Sequence, residues 1–104
     1  MISEPDMEVA YNNLALSDHP FAMAKAELEN SEILRKRVRM RVFLMAEGTV
    51  AEKNATAETA SDTIAADERY IKAVEAYEKI RGRRQTWQLT IDIFRTLEAS
   101  RRRT

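Results

Sequence analysis

Residues able to do chemistry are few and scattered in this chain. His19 is the only histidine, set between Asp18 and Pro20, and there is no cysteine. One imidazole and no thiolate cannot assemble a nitrogen or sulfur metal site within a single chain, and without cysteine there is no disulfide framework. Neighbouring carboxylates occur at Asp67-Glu68, where the helical reading makes them ordinary solubilising charge. No Glu-x-x-His pair of the di-iron bundle type is present. Gly48 and Gly82 stand alone, so no glycine-rich phosphate loop is formed. No serine or threonine sits beside a base in a nucleophile motif. The expectation is a protein without catalytic residues, cofactor or metal, and not an enzyme.

What remains is arginine. Residues 33–46 hold five bases and no acid, within Arg35-Lys36-Arg37-Val38-Arg39-Met40-Arg41. Residues 79–104 hold eight bases against two acids, including Arg83, Arg84, Arg101, Arg102 and Arg103. Basic clusters on helices are the electrostatic footprint of phosphate-backbone binding. Those nine arginines (Arg35, Arg37, Arg39, Arg41, Arg83, Arg84, Arg101, Arg102, Arg103) are therefore the candidate nucleic-acid contacts. The competing use is internal. Residues 1–32 carry seven acids and one base, and residues 47–78 carry eight acids and three bases, so the total cancels to zero. Blocks of alternating sign pair when a helix folds back on another and fix an antiparallel register, as flanking charges do in coiled coils. Folding back places the Arg35–Arg41 block beside residues 68–74, and Glu27, Glu29 and Glu32 near Lys79 and Arg81.

The elements that position these side chains are helices. Glycine and proline number two each, and good helix formers are abundant. Ser3 with Asp6 forms a capping-box pattern opening a short helix over about residues 4–16, with Met7, Tyr11, Leu14 and Ala15 on one face. Ser17-Asp18-His19-Pro20 reads as a stop followed by a new N-cap. A long helix follows over about 19–47, roughly 43 Å in length. Its stripe is Phe21, Ala24, Leu28, Leu34, Val38, Val42 and Met45, and Gly48 stands where a left-handed stop belongs. Thr49-Val50-Ala51-Glu52 is a second capping box, opening an Ala-rich helix over about 50–60. The last helix covers about 62–101 with Ile64, Ile71, Val74, Tyr77, Ile80, Trp87, Ile91, Phe94 and Leu97 as its apolar stripe. Gly82 within it, costing about 1 kcal/mol relative to alanine, reads as a bend, a close helix contact or, the favoured reading, a tolerated defect.

The expected fold is all-α: one domain over residues 1–104, a long antiparallel helical hairpin with a short N-terminal helix and an Ala-rich helical corner. Long apolar stripes on so short a chain favour self-association as a dimer or higher homo-oligomer, with Ile71, Val74, Trp87, Ile91 and Phe94 as candidate contacts. The opening residues lack a basic and apolar leader, and no apolar run approaches a bilayer span of about 20 residues. A cytoplasmic, non-membrane setting is expected.

The stretch Arg39-x-Arg41-x-Phe43-Leu44-x-Ala46-Glu47-Gly48-Thr49-Val50-Ala51-Glu52-Lys53-x-Ala55 is similar to small helical-hairpin proteins encoded by tailed bacteriophages. Those carry a basic helix, a Glu-Gly-Ser/Thr-Val-Ala-Glu corner, an Ala-rich segment and a long second helix. The resemblance implies a phage or prophage accessory protein and, as one role, a connection with DNA recombination or replication. It brings no active-site residues. The leading expectation is thus a non-enzymatic helical interaction module acting through self-association and a protein partner. Nucleic-acid binding through the arginine clusters is the alternative.

Overall fold

The computed structural model of the chain describes residues 2–103. Three helices account for nearly all of them: α1 (Glu4–Met45), α2 (Val50–Thr59) and α3 (Ser61–Arg103). There is no strand among the described residues. The all-α helical hairpin is therefore the fold, with α1 packed against α3.

Local chemistry sets most of the helix ends. Asp6 N–H donates to Ser3 Oγ at 3.4 Å, while Ser3 N–H donates back to the Asp6 carboxylate at 2.9 Å. This reciprocal box starts α1. The two Ser3 donors hold the Asp6 carboxyl below its ordinary value, the backbone N–H contributing most. Gly48 adopts φ 111°, the left-handed region that ends the excursion after α1. Thr49 then caps α2, accepting from Glu52 N–H at 3.2 Å.

The break expected at Ser17–Pro20 is absent: α1 passes straight through, with Pro20 inside it. An interior proline forfeits one hydrogen bond and crowds the carbonyl one turn back, at a cost of about 3 kcal/mol. Here that carbonyl belongs to Leu16. Leu16 and Pro20 both lie exposed, so the carbonyl keeps a route to water. Nor do Ser17 and Asp18 cap a new helix, because both are engaged by Arg84 of α3.

The chain divides into two compact units, Met1–Met23 with Glu78–Thr104, and Ala24–Tyr77. In the first, α1 and α3 run antiparallel. Buried and half-buried positions that line their seam include Ala10, Leu14, Ser17 and Phe21 on α1, and Arg84, Trp87, Ile91 and Phe94 on α3. In the second they include Ala24, Leu28, Ser31, Arg35, Val38 and Val42 on α1, and Thr63, Ala66, Tyr70, Ala73 and Tyr77 on α3. Steps alternate between three and four residues, the 3.5-residue repeat of a coiled-coil seam.

Several expected stripe residues fall outside this seam. Tyr11, Leu34, Met45, Ile64 and Ile71 are exposed, Met45 by 79%. The smaller neighbours Ala10, Ser31, Thr63, Ala66 and Ala73 are buried in their stead. Small residues let two helix backbones come close, and that geometry outranks side-chain bulk along the seam. Ser31 Oγ satisfies itself on the Leu28 carbonyl at 3.0 Å. Thr63 Oγ1 is buried without a partner.

Within the second unit α2 lies against the end of α1. Ala57 is buried, Arg39 pairs with Glu58 at 2.9 Å, and the Lys53 ammonium stands 5.8 Å from the Phe43 ring centre. Gly82 meets nothing within 4 Å of where a Cβ would sit, and α3 continues unbroken past it.

Candidate interaction surfaces

Each unit sets one arginine into its seam. In the first, Arg84 Nη1 donates to Ser17 Oγ at 2.6 Å, to Asp18 Oδ1 at 2.8 Å and to the Leu14 carbonyl at 3.1 Å. Its guanidinium carbon lies 4.8 Å from the Phe21 ring centre. In the second, Arg35 Nε pairs with Asp67 at 3.2 Å, and its guanidinium carbon lies 4.5 Å from the Tyr70 ring centre. Both pairings combine a carboxylate with an aromatic face, to which a guanidinium is well suited.

Further ion pairs lie along the second unit. Glu27 accepts two bonds from Arg69, at 2.8 and 3.1 Å. This paired donation, with the attraction of the positive charge, lowers the Glu27 carboxyl and raises Arg69. The expected partners of Glu27 were Lys79 and Arg81. The actual register differs: Arg35 pairs with Asp67 and Arg84 with Asp18, so the facing positions lie about two turns from those expected. Arg81 instead bonds Glu78 within its own helix, at 2.7 Å.

The nine candidate nucleic-acid arginines thus separate. Arg35, Arg39, Arg84 and Arg101 are engaged with carboxylates of the same chain. Arg37, Arg41, Arg83, Arg102 and Arg103 are exposed. Of these, Arg37 and Arg41 stand together with Lys36 around a shallow groove floored by Met40, Leu44 and Met45. The five candidate self-association residues separate as well. Ile91 is enclosed within its own chain at 1% exposure, and Val74, Trp87 and Phe94 are half-buried. Ile71 is exposed by 55%.

Sequence reasoning weighs Met40 and Met45 near Phe43 as an adaptable partner surface but favours them as core filler, and leaves the rest of the outer faces of α1 unassigned. In the second unit Ile33, Met40 and Leu44 are 48%, 63% and 70% exposed, with Met45 and Val50 nearby in sequence at the corner. In the first, Val9 and Leu16 are exposed, with Glu4, Asp6 and Glu8 close to Val9 in sequence. The signal was in the sequence: once the 3.5-residue seam is assigned, Val9 and Leu16, like Ile33 and Met40, recur at heptad spacing off that seam. Among the described residues no three His, Asp or Glu side chains converge as metal ligands. Nor is any helix long and apolar enough to cross a membrane.

Fold and surface together define an all-helical hairpin with a seam rich in small residues and exposed apolar outer faces. Compared with known proteins, the chain matches no family model, no curated protein and no solved structure.

Proposed function

We propose that the protein is a non-enzymatic helical interaction module that works by self-association, its contact surfaces being the exposed apolar faces of α1. One observation carries this reading: the distribution of apolar bulk. Four of the six buried hydrophobic residues among those described are alanine, whereas Leu16, Met23, Ile33, Met40 and Leu44 are exposed on α1. Contiguous apolar surface on a small helical protein marks an interaction site, and burying it against another chain supplies the stability that a thin core does not. The likeness around Arg39–Ala55 supports placing the module among phage or prophage accessory proteins.

Sedimentation velocity over a concentration series tests the reading. The chain should associate, and Met40→Asp with Leu44→Asp should shift it toward monomer while far-UV circular dichroism retains its helicity. A wild-type chain that stays monomeric at every concentration overturns the proposal.

A second reading, phosphate-backbone binding in DNA recombination or replication, is supported by Lys36, Arg37 and Arg41, which rim one groove without an acid among its lining residues. It requires labelled DNA to bind with an affinity that falls steeply with salt, because each neutralised phosphate releases counterions. Loss of that binding in Arg37→Glu, Arg41→Glu is the accompanying result. No binding at low salt removes this reading.

A further inference from the structure

We infer that the C-terminal end of α1 is a docking groove for an acidic amphipathic helix of a partner protein. The inference rests on the reading of α1 as the contact helix, and holds whether or not the chain also associates with itself. The groove lies wholly within the Ala24–Tyr77 unit. Its floor is Met40, Leu44 and Met45 and its rim is Lys36, Arg37 and Arg41, with no acid among the lining residues. On the other flank of the Met40–Leu44 ridge a second groove opens, walled by Phe43 of α1 and by Asn54 and Ala57 of α2. Met40, Leu44 and Met45 are all exposed, so the ridge is spared by the packing of its own unit.

Charge complementarity names the occupant. Two of the cations around the ridge are already neutralised, Lys36 by Glu32 at 3.4 Å and Arg39 by Glu58 at 2.9 Å. Arg37 and Arg41 are exposed and enter no ion pair among the described residues, and they stand one helical turn apart on the same edge of the groove. The acids that bracket this stretch in sequence are Glu32, held by Lys36, and Glu47, which lies past the end of α1 and outside the groove lining. A complementary ligand therefore carries carboxylates one turn apart, beside large apolar side chains that seat against Met40 and Leu44. An amphipathic helix supplies both at three- and four-residue spacing, and it docks by laying its apolar face into a groove of this kind. Unbranched methionines adapt their shape to such a partner. A nucleic-acid backbone would satisfy the arginines but leave the apolar floor wet.

The probe is a fluorescein-labelled, alanine-based helical peptide with leucines along one face at three- and four-residue spacing and glutamates flanking them. A sister peptide carries lysine in place of every glutamate. Fluorescence anisotropy with the full chain should show saturable binding of the acidic peptide, and binding of the basic one weaker by at least about tenfold, since like charges across an interface are penalised. In Arg37→Glu with Arg41→Glu that preference should reverse, a result that loss of the fold cannot produce. Leu44→Asp should weaken the acidic peptide while circular dichroism retains its helicity. Neither peptide bound, both bound equally, or a preference unchanged in the double variant overturns the inference. So does a labelled DNA duplex that binds through Arg37 and Arg41 where the acidic peptide does not. Sedimentation velocity keeps the two readings apart. A chain that associates, loses association in Met40→Asp with Leu44→Asp, and binds no peptide assigns the groove to a second copy and overturns the partner helix alone. A monomeric chain that binds the acidic peptide overturns self-association and leaves the groove standing.

Discussion

Arg84 in the Met1–Met23 and Glu78–Thr104 unit, and Arg35 in the Ala24–Tyr77 unit, hold the same kind of seam position. Each meets an aspartate and an aromatic ring three residues apart on the facing helix, Asp18 and Phe21 in one, Asp67 and Tyr70 in the other. Asp67, Tyr70 and Arg84 follow Asp18, Phe21 and Arg35 at one common interval, a whole number of heptads. Yet the Arg84 side chain is 24% exposed and that of Arg35 is 40% exposed. The difference lies in the acceptors. A guanidinium has five N–H donors. Arg84 finds a hydroxyl, a backbone carbonyl and a carboxylate, whereas Arg35 has one carboxylate and the ring. The position corresponding to Ser17 in the second unit is Ala66, which offers no oxygen. How deeply a seam arginine sits is set by the acceptors the facing helix supplies.

The largest expected effect tests that contrast directly. Arg84→Ala removes three charge-assisted bonds, the Phe21 contact and half-buried methylene packing, and should cost about 2–3 kcal/mol. Arg35→Ala loses a more exposed pair and a cation–π contact and should cost about 1 kcal/mol. Urea denaturation followed by circular dichroism measures both. Equal losses would break the comparison, since acceptor number would then not matter.

The two glycines contrast in sign. Gly48 ends the α1 excursion at positive φ, and an added Cβ would meet Glu52 Oε2 at 2.5 Å. Gly48→Ala should therefore destabilise the corner by about 1–2 kcal/mol. Gly82 is open on all sides, and Gly82→Ala should stabilise α3 by about 1 kcal/mol. Shifts of the same sign in the two thermal midpoints would contradict the strain assigned to Gly48.

Such local chemistry was the legible part. Ser3 with Asp6, Gly48, and Thr49 with Glu52 act within a few residues of themselves, so their roles can be read from the sequence alone. Ser17, Asp18 and Pro20 misled because the side chains that cap an isolated helix were claimed by Arg84, distant in sequence. The seam was only partly legible. Ile64 and Ile71 are bulkier than Thr63, Ala66 and Ala73, and weighing bulk above the 3.5-residue step put these two inward, whereas Val74, Tyr77, Ile80, Trp87, Ile91, Phe94 and Leu97 are buried or half-buried as expected. Ile33 and Met40 already stand outside the stripe assigned to this helix, but their position off the stripe does not by itself say that they form a surface. Arginine clusters announced positive charge but not its use, since engagement of Arg35 and Arg39 depends on where Asp67 and Glu58 arrive in three dimensions.

Acid should separate the units by their carboxylates. Glu27, held below its ordinary 4.5 by the two bonds from Arg69 and by that residue's charge, stabilises the second unit fully above that value. The contribution is lost as pH falls through the lowered folded-state value. Urea midpoints measured between about pH 5 and pH 3 should therefore decline less steeply in Glu27→Gln than in wild type. Asp6, lowered by Ser3 in the first unit, should leave a residual decline in that variant. Profiles that superimpose would show that Glu27 and Arg69 do not pair in solution.

The smallest effect is the most specific. Ala66→Ser places a hydroxyl where the second unit lacks the counterpart of Ser17. If acceptor number governs, the new Oγ gives Arg35 a second oxygen beside Asp67, and stability should rise by about 0.5 kcal/mol. The sign is the informative part. Ala66 is buried at 7% exposure, so a hydroxyl that Arg35 does not reach is left to its own helix or unsatisfied, and the variant then loses stability. In an Arg35→Met background the same substitution should give no gain. A double-mutant cycle over Ala66→Ser and Arg35→Met therefore separates the new bond from any general effect of serine on α3. A coupling of zero would mean that the depth of Arg84 comes from Asp18 and the Leu14 carbonyl, with Ser17 only filling space.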